Sequence, residues 1–204
     1  MQQSIKVWDI FVRLFHWSLV LFFILAYLTG EGELESLHAW AGYIIGALIA
    51  LRFLWGFVGT KHARFSDFIY RPAEIVAYLK SLLSRRPKHY IGHNPAGGAM
   101  VVVMLIVLAL VTWTGLETYA AEGKGPLANS AISLEIPAAY ADGWEHGENR
   151  EDEFREEVHE AAVNLMLLLV FAHLVGVLVS SLLHRENLPR AMITGRKTVQ
   201  NREP

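Results

Sequence analysis

Four histidines, His16, His38, His159 and His173, fall inside or at the ends of long apolar segments. An ionisable ring is costly in hydrocarbon, and where one occurs it marks a functional position. His159 and His173 are 14 residues apart on one expected helix, a rise of about 21 Å at ~1.5 Å per residue. At ~100° per residue the two rings point within about 40° of each other, one near each membrane surface. The other two histidines lie on different helices, one at each depth. Imidazole is a metal ligand, and two facing imidazoles from different helices can clamp a planar iron macrocycle. The spacing therefore points to two haems, one above the other across a bilayer, with all four histidines as iron ligands.

The elements that must hold these rings are readable from hydropathy. The chain has 204 residues, 53% of them hydrophobic, which suits one bundle of a few spanning helices. Four stretches, 8–29, 35–58, 95–119 and 156–183, reach the ~20 residues needed to cross the hydrocarbon core. The expected fold is all-α: an integral membrane four-helix bundle forming a single domain over 1–204. Arg13 and His16 interrupt the first apolar run, and no small-residue cleavage site follows Tyr27 to Gly30. The first segment is therefore read as a retained helix rather than a signal peptide. The chain contains no cysteine, which excludes covalently attached haem, iron–sulfur clusters and disulfides.

A net charge of -2 hides a strong asymmetry. The segment between the second and third helices carries Lys61, Arg64, Arg71, Lys80, Arg85, Arg86 and Lys88. The C-terminal tail is also basic, whereas Glu31 to Glu35 and the loop 120–155 are acidic. By the positive-inside rule both termini are cytoplasmic, and the acidic loop is periplasmic. The expected location is the bacterial inner (cytoplasmic) membrane, crossed several times. After Pro72, residues 73–83 space their apolar side chains as an amphipathic helix at the headgroups, fringed by Lys80, Arg85 and Arg86. The tail beyond His184 reads as extended or loosely helical. The outer loop runs through weakly apolar Leu127–Tyr140 into the acidic run Glu148–Glu157. That run reads either as a solvated helix start or as a docking surface for a periplasmic partner such as a c-type cytochrome.

Depth sorts the four ligands into His16 with His173 on the cytoplasmic side and His38 with His159 on the outer side. Bis-histidine ligation leaves no open iron position, which favours electron transfer over oxygen binding. The alternative is four unrelated polar residues tied to neighbours. Arg52 follows His38 by 14 residues, so it shares that face at the inner haem's depth and suits a propionate in a bidentate fork, with snorkelling to the cytoplasmic headgroups as its alternative. Arg13, one turn before His16, suits a propionate or the headgroups equally. Gly42 and Gly176 lie near His38 and His173, where lack of a side chain leaves room for a flat macrocycle. Gly42 and Gly46 also form a GxxxG, whose ordinary role is close helix packing or dimerisation. Asn94 before Pro95 is a good N-cap for the third helix. His93 is read as interfacial, with contact to a propionate or quinone as its alternative. His62, His89, His146 and His184 are read as non-ligands.

Val7-Trp8-Asp9, Arg13 to Trp17, Gly92 to Gly98, and His159 and His173 in their local settings resemble the bacterial cytochrome b561 family along nearly the whole chain. The resemblance implies a four-helix membrane cytochrome with two non-covalent b haems, related to cytochrome b subunits of hydrogenases and formate dehydrogenases. It implies transmembrane electron transfer with ubiquinone or menaquinone as substrate, and ligand roles for His16, His38, His159 and His173. Some members of the family react with superoxide, a further possible donor. The chain is accordingly expected to be an electron-transfer cytochrome or quinone-linked oxidoreductase, with bilayer, quinone and a second redox protein as partners. No nucleic acid is expected among them. A haem-bearing anchor subunit of a dehydrogenase or reductase is the alternative. A divalent-metal transporter fits less well, since the acidic residues sit in loops rather than in spans.

Overall fold

The computed structural model describes residues 2–31, 33–84, 88–128 and 147–200. The elements run β1 (Gln2–Lys6), α1 (Ile10–Thr29), α2 (Glu35–Val58), a 3-10 turn at Lys61–Ala63, α3 (Phe65–Phe68), α4 (Pro72–Leu83), α5 (Pro95–Ala121), α6 (Gly147–His184), α7 (Leu188–Thr194) and β2 (Arg196–Gln200). The helices α1, α2, α5 and α6 are long and apolar enough to cross a membrane. Their outward faces stay apolar: Leu28 is 71% exposed and Leu182 70%, an arrangement that suits lipid and not water. The fold is an all-α membrane bundle, apart from one two-stranded ribbon.

Two boundaries differ from expectation for physical reasons. The first helix begins at Ile10 rather than Trp8 because Asp9 caps it, accepting the Val12 amide at 2.8 Å. The last helix begins at Gly147, nine residues before the expected start. At 38 residues it is about 57 Å long, well beyond the ~30 Å core. Its first turns must stand outside hydrocarbon, as Glu151, Asp152 and Glu153 require. The acidic run is thus helical where it is described. Residues 129–146, including most of the weakly apolar stretch and His146, lie outside the described residues, as do Gly32, Arg85, Arg86 and the side chains of 148–150. Helix α4 begins at the expected proline. The amide of Gly97 donates to Asn94 Oδ1 at 2.7 Å, so Asn94 caps α5 as its sequence suggested.

The chain divides into two compact units, one of residues 1–21, 47–104 and 169–204, the other of 22–46 and 105–168. In the first, Val7, Trp8, Val12, Ala63 and Ala191 form a buried cluster against which Ile5, Trp55 and Met192 pack. The tail closes this cluster instead of trailing from it. Strands β1 and β2 pair antiparallel from Gln2 opposite Gln200 to Lys6 opposite Arg196. Gly195 ends α7 at φ 76°, and a Cβ there would sit 2.7 Å from the Trp8 carbonyl oxygen. At Gly98 a Cβ would meet the Phe68 carbonyl oxygen at 2.1 Å, so only glycine lets α5 start against α3.

In the second unit Gly46, not Gly42, makes the close helix approach: a Cβ there would lie 3.1 Å from Thr112 Cγ2, whereas one at Gly42 meets nothing within 4 Å. Lys124 bridges Glu35 at the start of α2 (2.6 Å) and Glu122 after α5 (2.8 Å).

Asp9 fastens the first unit. Besides the cap, its Oδ2 accepts Thr60 Oγ1 at 2.6 Å and Trp55 Nε1 at 3.0 Å. Burial alone would raise this carboxyl, but the three donors and the Arg52 charge outweigh burial and lower it below its usual 3.8. Its contribution to stability is therefore fully present above pH 3.8 and lost as pH falls through the lowered native value. Asp9→Ala removes the cap and strands two donors, and is expected to cost about 3 kcal/mol. Asp9→Asn, which keeps an acceptor, should lose less, and thermal unfolding in detergent at neutral pH ranks the two.

Candidate functional site

The ring histidines separate between the units: His38 and His159 belong to the second, His16 and His173 to the first. In the second unit the His38 and His159 ring centroids are 6.2 Å apart with planes at 88°. Two metal–imidazole bonds of about 2 Å, plus the distance from each nitrogen to its ring centre, give about 6 Å. The pair is thus spaced so that one metal ion would fit between the two imidazoles. Perpendicular planes are compatible with this, because each ring need only aim one lone pair along the common axis.

The outer nitrogens are settled by the protein. His38 Nδ1 lies 2.9 Å from the Ala26 carbonyl oxygen. That carbonyl belongs to the last turn of α1, where helix carbonyls lack an intrahelical amide. Since a carbonyl only accepts, His38 Nδ1 carries the proton and its Nε2 keeps a lone pair. His159 Nδ1 lies 3.0 Å from Thr114 Oγ1. The Thr114 hydroxyl proton is already directed at the carbonyls of Leu110 (3.0 Å) and Val111 (3.1 Å), so the hydroxyl accepts from His159 Nδ1. His38 is thereby held in the tautomer that offers Nε2 to a metal, and a proton on His159 Nδ1, accepted by Thr114 Oγ1, leaves its Nε2 to do the same, as outer partners do for metal-binding histidines. Gly115 makes room for one of them: a Cβ there would lie 3.0 Å from His159 Cε1.

Thr114 and the Ala26 carbonyl were not singled out from the sequence. Threonines at 112, 114 and 118 all bond their own helix backbone, and only the fold reveals which one faces a ring. Glu117 was also missed; it is 4% exposed in α5, and an acid inside an apolar run was its available signal.

In the first unit His173 is an electrostatic neighbour of His16, whose Nδ1 is buried without a hydrogen-bond partner among the described residues. Arg52 is 3% exposed, so it does not reach for the headgroups. Its Nη2 donates to the Ala63 carbonyl at 3.0 Å, and its guanidinium lies over Phe65 (5.3 Å) and Phe68 (5.8 Å). Its Nη1 is buried with no protein acceptor among the described residues. Arg13 reaches the tail and donates through Nη2 to the Ile193 carbonyl, while its Nε is buried and unmatched. A buried cation with an unmet donor suits an anionic cofactor group.

His93 lies between Trp8 and Phe68, with ring centroids at 4.6 and 4.7 Å. Burial, with the charges of Arg52 and Lys197 adding, pushes it down to about 3, so it is neutral at physiological pH. Its Nδ1 has no partner among the described residues. A Cβ at Gly176 would meet nothing within 4 Å, and Gly42 is likewise open. His62 pairs with Asp67 at 2.8 Å and His89 with Glu186 at 2.7 Å, while the His184 ring lies 5.3 Å from His89. Among the described residues no three His, Cys, Asp or Glu side chains converge as a metal cluster. The donor set is two imidazoles per unit with cations nearby, which fits a b-type haem.

Thr114→Val removes the acceptor that orients His159 while keeping shape. It is expected to weaken metal-cofactor retention in the second unit by about 10–100-fold, read as the fraction of that haem surviving purification and as loss of its low-spin band.

A family model described as prokaryotic cytochrome b561 matches residues 7–195. A probable Ni/Fe-hydrogenase B-type cytochrome subunit of Rhizobium leguminosarum bv. viciae is 24% identical, over 99% of this chain and 92% of the relative. A like-named protein of Azotobacter chroococcum mcd 1 is 30% identical over 67% of this chain and 68% of its own length. The probable Ni/Fe-hydrogenase 1 B-type cytochrome subunit of Escherichia coli (strain K12) is 26% identical over 53% and 57%. No solved structure matches significantly. With four spans and a family match along nearly its whole length, this chain belongs to the prokaryotic cytochrome b561 family and is a multi-pass membrane cytochrome that carries b-type haem.

Proposed function

We propose that the chain carries electrons across the bacterial inner membrane through two b-type haems, one held by His16 and His173 and the other by His38 and His159. The observation that carries this reading is the 6.2 Å His38–His159 separation, with the Nδ1 atoms engaged by the Ala26 carbonyl and by Thr114 Oγ1. When bound, b-type haem supplies a one-electron iron couple. The residues supply the rest. His16 with His173, and His38 with His159, would supply two nitrogen ligands to each iron and leave it no position for oxygen or water. The buried Arg52 guanidinium, together with Arg13, holds propionates and stabilises their negative charge. His93, neutral and bearing an unmatched Nδ1, meets a propionate or a quinone oxygen.

The basic first unit and acidic second unit support the orientation proposed here, with both termini and α4 in the cytoplasm. The relatives are named as hydrogenase cytochrome subunits, which favours a subunit that exchanges electrons between a periplasmic hydrogenase-type oxidoreductase and the quinone pool over a stand-alone quinone oxidoreductase. The Glu151, Asp152 and Glu153 turn of α6 offers that partner a negative docking surface.

A dithionite-minus-air difference spectrum of the purified protein, with a pyridine haemochrome assay, is expected to count two low-spin b haems per chain. His38→Ala and His16→Ala should each remove one, and the double variant both. Two haems that survive either single substitution would overturn the ligand assignment, and one haem in the wild type would overturn the two-haem reading.

A further inference from the structure

Helix α4 has two apolar stripes and the protein covers only one. Tyr78, 5% exposed, turns inward with Ile75 and Leu82, both partly buried. Val76 and Leu79, about half exposed at 49% and 48%, form a second stripe that faces no other element, with exposed Ile69 just before the helix. Cations bracket that stripe. Arg71 precedes the helix, and exposed Lys80 lies four residues after Val76, on the same face. Arg71 and Lys80 are about 14 Å apart along the axis at ~1.5 Å per residue. Lys88 is held beside the same helix: its Nζ lies 5.5 Å from the Tyr90 ring centre, and Tyr90 packs at 5.8 Å against Tyr78 and 5.9 Å against Tyr70.

Among the described residues no carboxylate forms an ion pair with these cations. The described carboxylates of the first unit have other hydrogen-bond partners. Asp9 holds Thr60, Trp55 and the Val12 amide. Asp67 holds His62, Glu186 holds His89 and the buried Lys197, and Glu74 accepts the Arg71 backbone amide. Arg71, Lys80 and Lys88 are exposed and have no carboxylate partner among the described residues. Tyrosines clustered beside such a helix suit the headgroup level.

We propose that α4 and Lys88 form a binding surface for anionic phospholipid, whose phosphate groups meet Arg71, Lys80 and Lys88 while its acyl chains cover Val76 and Leu79. One molecule class satisfies both halves of the surface: a negative headgroup for the unpaired cations and hydrocarbon for the uncovered stripe. An acidic protein would use the cations alone. The surface does not depend on the haem assignment, because neither α4 nor Lys88 supplies a residue to it.

Native mass spectrometry of the full-length, detergent-solubilised chain tests this, using equal amounts of phosphatidylglycerol and phosphatidylcholine with identical acyl chains. The wild type is expected to retain phosphatidylglycerol selectively. Arg71→Gln, Lys80→Gln and Lys88→Gln combined should lower that retention on the order of tenfold. Val76→Ser with Leu79→Ser should lower it several-fold although every charge remains. All five positions are exposed, so unchanged helical circular dichroism checks the fold. Equal retention of the two lipids, or no response to the charge variant, overturns the proposal. A response to the charge variant alone also overturns it, because acyl chains then do not cover Val76 and Leu79.

Discussion

An imidazole in hydrocarbon has two nitrogens to satisfy, and only one can face a metal. Much of the second unit follows from placing the other. The end of α1 leaves the Ala26 carbonyl without an intrahelical amide, and His38 takes it. Helix α5 turns a threonine whose proton is spent on its own backbone towards His159, and a glycine follows immediately to make room for the ring. Each device is small, and each is worth more in a medium without competing water. Helix ends and small residues in these spans thus serve ring orientation as well as packing.

The first unit solves a different problem. It keeps cations buried, and it does so with aromatic faces and backbone carbonyls instead of carboxylates. Arg52 lies over two phenylalanines and donates to Ala63. Arg13 donates to Ile193. A carboxylate in either place would neutralise the guanidinium. The acid that does approach, Asp9, is committed to two side-chain donors and a helix cap.

Hydropathy made the spans legible, because length and apolar content suffice for a helix in lipid. The second helix begins and ends where the sequence placed it, at Glu35 and Val58. The start of the third follows from the local chemistry of Asn94 and Pro95. The grouping of the histidines also followed from counting residues, since depth along a helix is linear in sequence. What stayed hidden depends on contacts far apart in the chain. Thr114 is one of three α5 threonines with the same backbone habit, and a carbonyl such as that of Ala26 carries no side-chain signature. The ribbon was missed for a related reason: two five-residue strands at opposite ends of the chain have no local signal that names their partner.

That ribbon bears on the order in which the chain can be assembled. Lys6 pairs with Arg196, 190 residues later, and Arg13 donates to Ile193. Residues 22–46 and 105–168, by contrast, are all synthesised before residue 169. The second unit can therefore pack before residue 169 is made, whereas the first needs Arg196–Gln200, which come later. Until then Trp8 and Val12 lack Ala191 and Met192, their partners in the buried cluster. Closing this long loop cannot precede synthesis of Arg196–Gln200, and it falls on the unit that holds Arg13, Arg52 and His93.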